Sequence, residues 1–74
     1  MSGARPVIDF IFVDFINDGF GGLVNQIAKM QYMSGGRLKM PVLLRGCVGI
    51  GHSAATHHSS SFYSAYAHIP GLRV

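Results

Sequence analysis

The hydrophobic pattern alternates between short apolar runs and longer stretches of helical period. Residues 7–13 (VIDFIFV) are mostly β-branched or aromatic. Val7, Ile11 and Val13 lie on one alternating face and Ile8, Phe10 and Phe12 on the other. A run that is apolar on both faces predicts a strand covered on both sides, as in a parallel sheet. Pro6, just before it, suits a strand start, where its missing N–H does least harm. Asp9 interrupts one face, either solvated or hydrogen-bonded near the sheet end, or as an acid supporting a site. Ile16, Phe20, Leu23, Val24, Ile27 and Ala28 then recur at helical spacing and form one apolar face. Asp14 is placed to cap a helix that begins at Phe15, and regular helix is expected over 18–33. Gly19, Gly21 and Gly22 oppose its first turns, at about 1 kcal/mol each relative to alanine, or serve the close approach of a neighbouring backbone. Ser34-Gly35-Gly36 supplies a C-cap.

A second apolar strand is predicted at 42–45. Ser59, Ser60 and Ser61 can cap a second helix over 60–69, in which Phe62, Ala65, Tyr66 and Ile69 fall at i, i+3, i+4 and i+7. Ile69-Pro70-Gly71 ends it, and 72–74 read as the start of a third strand. The order β-α-β-α-(β) predicts an α/β fold with a partial parallel sheet and crossover helices.

Composition sharpens this picture. Of the 74 residues 49% are apolar and only 12% charged, against about 25% charged in ordinary domains. A chain this short buries only roughly 60% of its unfolded surface. The surplus of apolar surface predicts a piece of a larger buried assembly. One cysteine, Cys47, excludes an internal disulfide and fits a reducing compartment. A buried, inert thiol is expected there. The net charge of +3 comes from scattered basic residues, read as solvated charges rather than a nucleic-acid footprint. Asp9 and Asp14 break the most apolar run, so no membrane span is expected. The N-terminus carries no signal-peptide pattern.

The chemistry concentrates after the second strand. Gly46, Gly49 and Gly51 give G-x-x-G-x-G, the reverse of the dinucleotide fingerprint, and no phosphate-loop motif follows. His52, His57, His58 and His68 have no cysteine or carboxylate beside them to complete a zinc shell. No nucleophile elbow is present. His58 stands out: it lies in the loop at a strand's carboxyl edge, where open α/β sheets bind ligands, and just before a predicted helix.

Several stretches carry a family resemblance: RPVIDFIFVDF, NQIAKMQYMSGG, PVLLRG and HHSSSFYSAYAHIPGLRV. Together they resemble the β subunit of thiamine-diphosphate-dependent 2-oxo acid dehydrogenases, the pyruvate dehydrogenase decarboxylating component above all. The resemblance implies the middle of a pyrimidine-binding domain of transketolase-like fold. It implies thiamine diphosphate held between this subunit and an α subunit that carries the diphosphate and magnesium. A carbon nucleophile of the cofactor attacks a 2-oxo acid, carbon dioxide leaves, and the acyl group passes to a lipoyl-bearing acyltransferase. The compartment implied is the cytoplasm or the mitochondrial matrix. Residue by residue, His58 matches the histidine at the active-site entrance, a catalytic role. Phe15 matches an aromatic residue beside the cofactor's aminopyrimidine ring. Val42 matches a position whose backbone carbonyl binds potassium in some members. The chain departs from the family where Gly21-Gly22 replaces Asp-Gln, Asp9 a glutamate and Cys47 a proline. The family's ring-bonding glutamate would lie upstream of Met1, and the chain contains no glutamate. The substrate stays open among pyruvate, branched-chain 2-oxo acids and acetoin. A non-catalytic assembly module that keeps the fold, with self-association through its apolar faces, is the other reading.

Overall fold

A computed structural model describes residues 2–74. Strand β1 (Val7–Phe12) pairs in parallel with β2 (Leu43–Cys47). The parallel pair and the helical crossover between its strands match the predicted α/β class. The helices are shorter and less regular than predicted. After β1 the backbone coils through a 3-10 segment (Val13–Gly19), a π-helical segment (Gly22–Ile27) and a short α1 (Met30–Met33). Three glycines at positions 19, 21 and 22 remove the side chains whose packing would hold one pitch, and each weakens regular helix. They serve no close approach: a Cβ at any of the three would meet nothing within 4 Å. Phe12 rather than Asp14 is the N-cap residue, with no side-chain bond; Asp14 sits inside the first turn, where a carboxylate suits the helix dipole.

The turn after α1 follows the sequence closely. Gly36 N–H donates to Gln31 O (2.8 Å) and Gly35 N–H to Tyr32 O (2.9 Å). These are the two bonds of a Schellman cap, with Gly35 in the left-handed region (φ 64°) that the motif requires. Ser34 ties the turn down, its hydroxyl donating to Gln31 O and accepting from Leu38 N–H.

Strand β1 departs from even alternation. Asp9 pairs with Arg45 and Phe12 with Cys47, so three steps along β1 match two along β2. That is a bulge. Ile11 carries the kink, with φ 65°, a conformation that costs a β-branched residue of the order of 1–3 kcal/mol. Two interactions hold it: Ile11 N–H donates to Asp9 Oδ1 (2.9 Å), and Asp9 Oδ2 pairs with Arg45 Nε (3.2 Å) across the strands. One inserted residue exchanges the faces beyond it. Val13, expected beside Val7 and Ile11, joins the core with Phe10, whereas Ile11 is 64% exposed.

The core consists of Val13, Ile16, Leu23 and Tyr66, with Phe10, Val24, Ile27, Leu44, Phe62, Ile69 and Leu72 packed around it. The predicted apolar faces therefore turn inward, except that Phe20 stays largely exposed. β1 is not covered on both sides: Val7 is 61% exposed and Ile8 also faces outward. A cavity of about 1500 Å³, lined by Val13, Ile16, Leu23, Leu44, Phe62 and Tyr66 among others, opens beside the core. The second helix, α2, is confined to Tyr63–Ala67 with Phe62 as N-cap. Ser59 does not cap it; its hydroxyl donates back to Ala55 O (2.6 Å). Residues 72–74 form no strand. Gly71, at φ 99°, brings the chain against Ala28 so closely that a Cβ there would fall on the Ala28 carbonyl oxygen.

Candidate functional site

The carboxyl ends of β1 and β2 carry the site. The 3-10 segment that leaves β1 holds Phe15, and the loop that leaves β2 folds back into a second 3-10 turn, Thr56–His58. The loop reaches that turn through Ser53 and Ala55, both at positive φ. His58 N–H donates to Ala55 O (3.4 Å) and closes the turn. The two candidate residues, far apart in sequence, meet here. The Phe15 and His58 rings lie 5.1 Å apart, centroid to centroid, at 53°.

Phe12, at the end of β1, completes the group. Its ring stacks on His58 (4.9 Å, 19°) and meets Phe15 edge-on (6.0 Å, 68°). His52 approaches the same phenylalanine (6.0 Å, 51°). Sequence reasoning missed Phe12, because even alternation assigns it to the face of Ile8 and Phe10. The bulge turns it toward the loop.

The site is half open. Phe15 is 40% exposed and His58 half-buried, whereas His57 next to it is exposed and makes no aromatic contact. His58 Nδ1 and Asp14 Oδ2 are buried atoms without hydrogen-bond partners. Beneath the rings, the Tyr66 hydroxyl donates to Asn17 Oδ1 (2.7 Å) and ties α2 to the 3-10 segment that carries Phe15. Burial, and secondarily the Asp14 carboxylate, raise the Tyr66 phenol above its ordinary 10.0, since both disfavour the phenolate.

Other sequence expectations fall elsewhere. Val42 lies at the amino end of β2, opposite the rings, half-buried, with its N–H donating to Met40 O (2.9 Å). Cys47 is exposed rather than buried, beside Ile11, Phe12 and His52 around a small hollow of about 220 Å³. Cys47 shares the outward-facing alternation of β2 with Leu43 and Arg45, which leaves the thiol open. Among the described residues, no three His, Cys, Asp or Glu gather as a metal site would need, and no helix is long and apolar enough to cross a membrane.

Known proteins share this segment. It is 41% identical over 73 residues to the pyruvate dehydrogenase E1 component subunit beta of Rickettsia conorii, covering 99% of this chain and 22% of that protein. It is 43% identical over 72 residues to the acetoin:2,6-dichlorophenolindophenol oxidoreductase subunit beta of Cupriavidus necator, covering 97% and 21%. The mitochondrial pyruvate dehydrogenase E1 component subunit beta of Ascaris suum is 36% identical over 74 residues, covering 100% and 20%. The chain thus spans about a fifth of the length of the curated relatives it matches. The family description "Transketolase, pyrimidine binding domain" matches residues 1–74. The parallel strand pair joined by a helical crossover agrees with that description, and this chain belongs to the transketolase pyrimidine-binding domain family.

Proposed function

We propose that this chain forms part of the β subunit of a thiamine-diphosphate-dependent 2-oxo acid dehydrogenase of the pyruvate or acetoin type. The observation that carries the reading is the meeting of Phe15 and His58 at 5.1 Å on the carboxyl edge of the parallel pair. Phe15 offers a partly open aromatic face, which fits one side of a flat heteroaromatic ring. The acids of the chain are Asp9, Asp14 and Asp18, and among the described residues no three His, Cys, Asp or Glu gather. On this reading the ring-bonding carboxylate and the ligands for diphosphate and magnesium come from other parts of the enzyme.

When bound, thiamine diphosphate supplies the carbon nucleophile that lets a 2-oxo acid lose carbon dioxide. Phe15 packs beside its aminopyrimidine ring and excludes water from that side. His58 borders the opening, where an imidazole can donate to a substrate carboxylate or exchange a proton with the incoming thiol of a lipoyl group. The Val42 carbonyl, distant from the rings, is offered as a ligand for structural potassium. The partners are an α subunit and a lipoyl-bearing acyltransferase, in bacterial cytoplasm or mitochondrial matrix. In the complete enzyme, His58→Ala lowers turnover by about 10²-fold, the scale of a lost acid–base group, and His57→Ala changes it little. Steady-state kinetics with a 2-oxo acid and a lipoyl domain test this, and equal rates for the two variants refute it.

A second reading rests on the open cavity of about 1500 Å³ beside the core. A surface this apolar suits association, and a non-catalytic assembly module, or self-association of the isolated segment, follows from it. The His58→Ala kinetics of the complete enzyme separate the two: a role confined to assembly leaves turnover unchanged, and both readings expect no binding of magnesium and thiamine diphosphate by the isolated 74 residues.

A further inference from the structure

We propose that Phe12 is the positioning residue of His58, and that the β1 bulge exists to aim it. This inference rests on the catalytic reading of His58 given above. A functional histidine is ordinarily oriented by a hydrogen bond from one ring nitrogen, which fixes both the ring plane and the tautomer. His58 has no such bond: Nδ1 is buried and without a partner. Its plane is set instead by rings. Phe12 lies nearly parallel to it (4.9 Å, 19°), and Phe15 closes a second side (5.1 Å, 53°). Phe12 also braces Phe15 edge-on (6.0 Å, 68°), so one side chain sets the spacing of both site residues.

The backbone shows how Phe12 arrives there. In an evenly alternating strand it would share the inner face with Phe10, which packs against the core. The register shift between Asp9 and Phe12 reverses that phase. The kink at Ile11 is held by the Asp9 carboxylate, itself paired with Arg45. Asp9, Ile11 and Phe12 thus form one device that delivers an aromatic platform to His58.

The test uses the complete polypeptide with its partner subunit. In NMR spectra of histidine-labelled protein, the His58 ring protons lie upfield of those of His57, which no aromatic ring contacts. Phe12→Leu shrinks that displacement to the part Phe15 supplies, and Phe12→Tyr keeps it whole. In kinetics, Phe12→Leu lowers kcat by about tenfold or more with KM for the 2-oxo acid unchanged, as a displaced catalytic group does, and Phe12→Tyr restores it. Should Phe12→Leu fail to fold, nuclear Overhauser contacts between the Phe12 and His58 ring protons of the wild type decide alone. Coincident His58 and His57 shifts, a displacement undiminished in Phe12→Leu, absent ring-to-ring contacts, or a raised KM at unchanged kcat overturns the proposal. If instead His58→Ala leaves turnover intact while the displacement behaves as described, the catalytic reading falls and the positioning of the ring by Phe12 stands.

Discussion

Gly46 is the position at which a single methyl group tests how the site is built. It lies in β2 directly beneath the exit of β1. A Cβ added there would stand 2.9 Å from Val13 N, 3.0 Å from Val13 Cα and 3.1 Å from the Phe12 carbonyl carbon. All three are backbone atoms, so no flexible side chain can yield. The strands would have to part by several tenths of an ångström at the bulge that aims Phe12. Overpacking of this kind costs about 1–3 kcal/mol. Alanine recovers roughly 0.5–1 kcal/mol of that by restricting the unfolded chain, so Gly46→Ala should destabilise by about 1 kcal/mol, and by up to about 2.5 kcal/mol if the strands cannot part. Gly21→Ala is the matched control. Gly21 has ordinary helical angles (φ −60°, ψ −41°) and nothing within 4 Å of a Cβ, so the same change should stabilise by about 0.4–1 kcal/mol. Urea unfolding of both variants of the complete polypeptide measures the pair. If Gly46→Ala proves as stable as the wild type, or Gly21→Ala costs as much as Gly46→Ala, the close approach of the two strands is not what shapes this edge.

Three further outcomes follow from other contacts. Gly71→Ala should cost more than Gly46→Ala, because a side chain at φ 99° is strained and its Cβ falls on the carbonyl of buried Ala28; the same urea series ranks them. Tyr66→Phe removes the 2.7 Å bond to Asn17 and should lower stability by about 1 kcal/mol, the usual net worth of such a bond. Because the folded-state value of the Tyr66 phenol is raised above 10.0, its contribution is fully present below about pH 10 and is lost as pH rises through the folded value; alkaline unfolding followed at 295 nm should show that slope, and Tyr66→Phe should abolish it.

What was legible in the sequence was local or periodic. The Ser34-Gly35-Gly36 cap was readable because glycine suits the left-handed angles that Gly35 and Gly36 adopt (φ 64° and 80°). The inward faces of the helical stretches were readable because Ile16, Leu23, Tyr66 and Ile69 recur at helical spacing. The parallel pairing followed from two apolar runs joined by a helical stretch. The bulge was not readable, since it depends on Arg45 meeting Asp9 across the sheet, and nothing in VIDFIFV marks Ile11 for a left-handed angle. The face assignment beyond Ile11 therefore came out inverted, and Phe12 was overlooked with it. The serine caps failed because α2 begins only at Tyr63, with Phe62 as its N-cap, while the Ser59 hydroxyl donates to Ala55 O, inside the turn that carries His58. Phe15 was singled out by family resemblance and His58 by its loop position as well, but that the two rings meet was not readable, because no periodicity links residues on different loops.

The exposed surface bears on how firmly those rings are held. A compact protein of 8.0 kDa exposes about 4,450 Å², whereas this chain exposes 5596 Å². The difference, on the order of 1,100 Å², exceeds the roughly 800 Å² that each partner of a standard interface buries. The large cavity is one place for such a partner, and its lining includes Val13 and Ile16. Those two residues belong to the same 3-10 segment that carries Phe15. Whatever covers the cavity therefore presses on the inner side of the segment whose outer side bears the site. A 3-10 segment with exposed glycines beyond it has little stiffness of its own. Its stiffness comes from Tyr66 beneath it, from Gly46 against its first residue and from the rings stacked above, so association at the cavity and order at the site are mechanically one property.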